Sequence, residues 1–216
     1  MGTLARELVT RVSGRSTREF FDEEIATPNG IDFTVGCPVA QRGRISPPFF
    51  PELPAPTAEM VQLMRSDPIR VAAMSSGFSF RRTYEPLFMD ADLPAANGFA
   101  SARGISQLYA ALTVGLAGGA PVLSAGTCSE VAAEQAAGPD AVLPADMAFG
   151  LGFMVPMPRI PQGGPGSFGH DGAAGALGFA TPRLGLSFGW ISDTALSMGA
   201  DPAANEIAKA IVGLLS

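Results

Sequence analysis

The chain has 216 residues, of which 47% are hydrophobic and 16% charged, and its net charge is -6. That composition supports a buried core and excludes wholesale disorder. With one lysine, Lys209, and scattered arginines, the basic face expected of a nucleic-acid-binding protein is excluded as well.

In chain order, Leu4, Leu8, Val9 and Val12 share one helical face, and Gly14 stops that helix. Ser16-Thr17-Arg18-Glu19 reads as a capping box for a second helix that buries Phe20, Phe21 and Ile25. Pro28-Asn29-Gly30 turns the chain into a short extended segment, residues 31–36. Prolines and glycines dominate residues 37–56, which predicts a long surface excursion. Thr57 caps a helix through Met60, Val61 and Met64, and residues 69–98 are expected to form short helices and loops. The clearest helix starts at Ser101, carries Ile105, Leu108, Tyr109 and Leu112 on one face, and is predicted to end at Gly118-Gly119. A further helix is predicted from Ser124 to about Ala137, and a strand over residues 148–155. Strands follow over residues 168–173, 175–181 and 184–192. A final helix is capped by Asp201, has Pro202 in its first turn, and uses Ile207, Ile211, Leu214 and Leu215 as its apolar stripe. Residues 1–147 thus read as mainly helix and loop, and residues 148–216 as strands with a closing helix. That order predicts an α+β layered fold.

The stretch Phe168 to Ala180 holds the only histidine, His170, among small residues that let other backbone or a ligand come close. Adjacent strand residues face opposite ways, so Asp171 is not expected to orient it. Gly164-Pro165-Gly166-Ser167-Phe168-Gly169 fits a dinucleotide pattern in spacing only, because strand-like sequence follows it instead of a helix. Cys37 and Cys128 are far apart and read as plain buried thiols. The sequence is read as carrying no nucleophile signature: Lys209 is preceded at three residues by Glu206, so there is no Ser-x-x-Lys. No run approaches the roughly 18 apolar residues needed to span a bilayer. The first residues also lack a signal-peptide pattern, so a cytoplasmic location without membrane partners is expected.

The block Phe168 to Gly189, with the segment Asn97 to Leu112 and the opening Leu4 to Ser16, resembles the serine β-lactamase-like superfamily. The likeness is greatest to its class C-like esterases and penicillin-binding-protein-like hydrolases. It implies a β-lactamase-like fold, an antiparallel sheet with flanking helices. Residues 1–216 would then be the C-terminal portion of one such domain, incomplete on its N-terminal side.

Members of that superfamily use a Ser-x-x-Lys, a tyrosine motif, and a Lys-Thr-Gly or His-x-Gly on the strand that edges the cleft. His170-Asp171-Gly172 stands where the third belongs. By the resemblance, His170 polarises the tyrosine or a substrate carboxylate, Gly172 leaves room for substrate, and the Ala173 N–H is one of two oxyanion donors. A serine hydrolase of small esters or amides is implied, working through an acyl-enzyme with no cofactor and no metal. Without the first two motifs this chain alone is expected to be nearly inactive. The alternative is a non-catalytic binding or interaction protein that keeps the cleft. Oligomeric state is not set by the sequence.

Overall fold

The computed structural model describes every residue except 1, 53–54, 75–81, 83, 159–162, 196–198 and 200. Helix α1 (Gly2–Ser13) turns Leu4, Leu8 and Val12 outward, each well exposed. The predicted capping box is present at Ser16, whose side chain accepts from the Glu19 N–H while Glu19 reaches back to the Ser16 N–H. It starts α2 (Thr17–Phe21), which runs through a π-helical turn (Asp22–Ala26) into α3 (Thr27–Asn29). The chain then enters β1 (Phe33–Val35). Arg18 ties this region together, donating to the carbonyls of Val35 and Met89.

The expected excursion contains a 3-10 turn (Val39–Arg44) and is not a free loop. At Phe49 it is strapped to the far end of the chain, with Phe49 N donating to Asp193 O at 2.7 Å and Ala195 N to Phe49 O at 2.8 Å. Helix α4 (Ala58–Arg65) is capped by Thr57 as predicted, and α5 (Pro68–Met74) and α6 (Pro86–Asp90) are short. Part of the region expected to be short helices and loops, 75–81 and 83, lies outside the described residues. Asn97 is fully buried and saturated, its amide donating to Phe88 O and Ala91 O and its oxygen accepting from Leu93 N. It fixes the turn that delivers β2 (Gly98–Ala100) antiparallel to β1, with Phe33 opposite Ala100.

Helix α7 (Ala102–Thr113) is capped by Ser101 as predicted but ends earlier than the Gly118-Gly119 signal suggested. Gly115 terminates it. That residue has φ +80°, and its N–H reaches back to the Ala110 carbonyl. Helix α8 (Ala125–Ala132) is also shorter than predicted, because the chain leaves it to form a hairpin of β3 (Ala136–Pro139) and β4 (Asp146–Phe149). The predicted strand over 148–155 is therefore corrected: the chain turns at 150–153, where Gly152 is left-handed, and returns to pair through Met154. Met154 exchanges both backbone hydrogen bonds with Gly169, joining the hairpin to the main sheet.

That sheet is β5 (Phe168–Asp171), β6 (Leu177–Thr181) and β7 (Leu186–Trp190), antiparallel in sequential order. β6 is buried along its whole length because both faces are covered. On one face Leu177, Phe179 and Phe188 pack with Ala204 and Ala208 of the closing helix α9 (Pro202–Leu215). On the other, Phe168 and Ala180 pack with Tyr109 and Leu112 of α7 and Val131 of α8. The stripe predicted for α9 is rotated: Ala204 and Ala208 are buried, Ile211 packs against the core, and Ile207, Leu214 and Leu215 are exposed. The small alanines let the helix lie close on the sheet. The opposite side of α7 meets Ala26 and Ile31, so this helix is sandwiched between the sheet and the N-terminal helices. Among the described residues, no helix is long and apolar enough to cross a membrane.

Candidate active site

A cavity of about 670 Å³ opens where several separate segments converge. The β5–β6 turn contributes Gly172, Ala173, Ala174 and Ala176, and the start of α7 contributes Ser101, Ala102 and Ile105. The end of β7 brings Ile191 and Ser192, and the strap over 37–50 with β1, β2 and Tyr84 closes the remaining side. Gly172 and Ala173, predicted as site residues, therefore stand on the cleft wall. The turn holds them by short-range hydrogen bonds, Gly172 N to Ala176 O at 2.8 Å and Gly175 N to Gly172 O at 3.3 Å. Ala174 sits between them at φ +72°, a left-handed conformation that costs a non-glycine residue about 1–2 kcal/mol.

His170 is placed differently. It is exposed on β5 and is not among the residues lining the cavity, whereas Asp171 beside it is buried, as strand alternation requires. The His170 Nδ1 lies against the Asp171 backbone carbonyl, not against the Asp171 carboxylate. His170 is paired directly with Gly178, and Gly178 with Gly189, so the three share one face of the sheet. A Cβ on Gly178 would lie 2.5 Å from the Tyr109 ring, and one on Gly189 would lie 2.2 Å from the Ala102 carbonyl oxygen. These two glycines therefore let α7 approach, and the ligand reading of the small residues is not needed for them. α7 covers β6 and β7 and leaves His170 on the open strand beyond it.

Several polar side chains on the cleft wall are engaged, whereas the Thr34 hydroxyl is buried without a partner. Arg44 forks onto Asp32 at 3.0 and 2.6 Å, which holds the Asp32 carboxyl below its usual range. Ser101 caps α7, and Ser192 donates to Thr194 O. Cys37 and Cys128 are both buried and free, and burial pushes both thiols up, as expected of plain thiols. Among the described residues, no three His, Cys, Asp or Glu side chains gather to hold a metal ion.

One pattern was missed in the sequence. Gly185-Leu186-Ser187-Phe188-Gly189 has the spacing Gly-x-Ser-x-Gly. Its structural setting is wrong for a nucleophile, because Ser187 lies within β7 opposite Ala180 and not on a strand-to-helix turn. His170 stands two strands away, roughly 10 Å at ordinary strand spacing.

The family model for beta-lactamase matches residues 1–212. The chain belongs to the beta-lactamase family. It is 30% identical to the esterase/beta-lactamase LipL of Mycobacterium tuberculosis, over 91% of this chain and 47% of that protein. Its fold is similar to that of EstA from Arthrobacter nitroguajacolicus, with a TM-score of 0.87, 31% identity, and coverage of 99% of this chain and 57% of that one. A penicillin-binding-protein homologue from Caulobacter crescentus gives 0.75 with 27% identity, covering 98% of this chain and 56% of that one. A family VIII carboxylesterase gives 0.76 with 25% identity, covering 95% and 55%. The chain spans about half the length of these relatives. The β-lactamase-like fold is thus shown, and the chain is similar to proteins of esterase and penicillin-binding type.

Proposed function

We propose that this beta-lactamase-family chain forms one wall of a serine hydrolase that cleaves small esters by acyl transfer, with His170-Asp171-Gly172 as its third motif. The observation that carries the reading is the placement of Gly172 and Ala173 on the cavity wall at the end of strand β5. In this reading the Ala173 N–H is one of the two oxyanion donors. His170, exposed on the same strand, is free to meet a tyrosine or a substrate carboxylate brought to that side. The N-terminal end of α7 opens onto the same cleft, and its dipole favours negative charge developing there. The similarity to a family VIII carboxylesterase and to the esterase/beta-lactamase LipL supports ester chemistry.

The nucleophile and its base come from outside residues 1–216 in this reading. The sequence contains no Ser-x-x-Lys, and neither Tyr84 nor Tyr109 begins a Tyr-x-Asn. Tyr109 is in addition sealed in the core, where burial pushes its hydroxyl far up. The alternative, a cleft that binds without turnover, predicts the same inert isolated chain and differs in what His170 does.

Two measurements test this. Intact-mass analysis of the 216-residue protein after a serine-reactive fluorophosphonate is expected to show no adduct, and one stoichiometric adduct would refute the external nucleophile. A chimera joining residues 1–216 to the preceding segment of EstA is expected to hydrolyse short esters. His170→Ala in that chimera should lower kcat about a hundredfold, the usual scale for removing one polarising group. A folded, fluorophosphonate-reactive chimera whose kcat ignores that change would overturn the role of His170.

A further inference from the structure

In the cavity that Gly172 and Ala173 line, three aromatic side chains from three separate stretches meet. Phe50 ends the strap, Tyr84 precedes α6, and Phe99 is the middle residue of β2. Tyr84 stands edge-on to both others, with ring centroids 6.4 Å from Phe50 and 6.3 Å from Phe99 at interplanar angles of 67° and 78°. All three line the cavity. Each is only partly buried, so each keeps surface that a ligand could cover.

The wall is held from behind. Phe99 is fixed by the β1–β2 ladder opposite Thr34, and Phe50 by the backbone pairing of its neighbour Phe49 with Asp193 and Ala195. The charged pair on this side, Arg44 and Asp32, is self-satisfied, and the Cys37 thiol lining the same cavity is kept neutral by burial. Beside these engaged groups, Thr34, Gln41 and Ser46 contribute polar atoms to the lining, and the Phe50, Tyr84 and Phe99 rings are its aromatic part. A volume of about 670 Å³ is ample for a fused-ring group and far exceeds a short aliphatic chain. Rings tilted against one another accept another ring edge-to-face, which adds to simple area burial.

We infer that the Phe50–Tyr84–Phe99 wall selects carboxylic esters that carry an aromatic ring over short aliphatic ones. This inference rests on the ester-hydrolase reading of the cleft and names its substrate class.

The test uses the 216-residue protein and amide isosteres of the ester, which resist turnover. Binding of N-methyl-2-naphthamide and N-methylbutanamide is measured by ligand-observed NMR titration. The naphthamide is expected to bind about tenfold more tightly or better, given the extra ring area it buries. Tyr84→Ala and Phe99→Ala should each weaken naphthamide binding about tenfold, whereas Tyr84→Phe should leave it within about twofold. Phe50→Leu, a milder change on the strap, serves if either alanine variant loses its native circular dichroism, and should weaken binding several-fold. Equal affinity for the two amides would overturn the inference, as would unchanged naphthamide binding in folded variants of all three positions.

The two readings fail separately. Naphthamide preference retained in a chimera with EstA that has native circular dichroism yet neither reacts with fluorophosphonate nor hydrolyses esters would refute acyl transfer and leave the aromatic site standing. A reactive chimera that turns over methyl butanoate and methyl 2-naphthoate alike would refute the aromatic site alone.

Discussion

Replacing Gly189 by alanine should separate a packing glycine from a motif glycine. A Cβ at this position would stand 2.2 Å from the Ala102 carbonyl oxygen, 2.7 Å from the Ser106 nitrogen and 3.0 Å from the Ile105 Cβ. Two of these atoms belong to the α7 backbone, so no rotamer change relieves the clash. Restoring an ordinary separation moves the start of α7 away from the sheet by more than 1 Å. Overpacking of this kind costs about 1–3 kcal/mol. Ser101, Ala102 and Ile105 also form part of the cleft wall, so the same shift should weaken naphthamide binding. At Gly172, by contrast, the nearest atom to an added Cβ is the Ala176 Cβ at 3.3 Å, which a small turn can yield, and Gly172→Ala should cost under about 1 kcal/mol. Urea denaturation read by circular dichroism measures both. A Gly189→Ala variant within about 0.5 kcal/mol of the parent at unchanged m-value would refute close helix–sheet approach as the reason for this glycine.

Three further outcomes are expected. Asn97→Ala removes three hydrogen bonds from a fully buried amide, and should cost about 2–4 kcal/mol in the same denaturation assay. Gly213→Ala in α9, where an added Cβ meets nothing within 4 Å, should stabilise by about 0.5–1 kcal/mol, and a loss would contradict the helix assignment there. Arg44 holds the Asp32 carboxyl below its unfolded value, so the stability it supplies is complete above about pH 4 and fades as pH falls through the depressed value. The pair is solvent-exposed, which limits the effect to under about 1 kcal/mol, and Asp32→Asn should remove that part of the acid dependence between pH 6 and pH 2.

What the sequence made legible was local. The caps at Ser16, Thr57, Ser101, Ser124 and Asp201 are all in place, because a cap is decided by three or four neighbouring residues. Strands β5 to β7 were readable for a similar reason, each being short and bounded by turn residues. Glycine-rich runs were harder. Ala148 to Val155 looks like a strand with alternating glycines, but Gly152 takes the left-handed region and folds the run back on itself. The helix end at Gly115 was hidden by the stronger-looking Gly118-Gly119 pair downstream. The site was half legible. A motif points to His170, Gly172 and Ala173, of which Gly172 and Ala173 line the cavity, but the aromatic wall joins residues 50, 84 and 99, and no local pattern links them.

The glycines around the histidine have a packing role that composition alone does not reveal. Small residues beside a lone histidine mark room for other backbone or a ligand, and at Gly178 and Gly189 what fills that room is a helix. Yet the packing role and the site role are coupled. His170, Gly178 and Gly189 form one row across three strands, and α7 seats itself on the two positions that lack side chains. The third position keeps its imidazole because the helix does not reach it. A valine at Gly178 would lift α7 from the sheet at Tyr109 and Ile105, and the start of that helix would no longer close the cleft beside Gly172. The helix that completes the core thus also sets which part of strand β5 stays open, and the exposed histidine follows from where the glycines end.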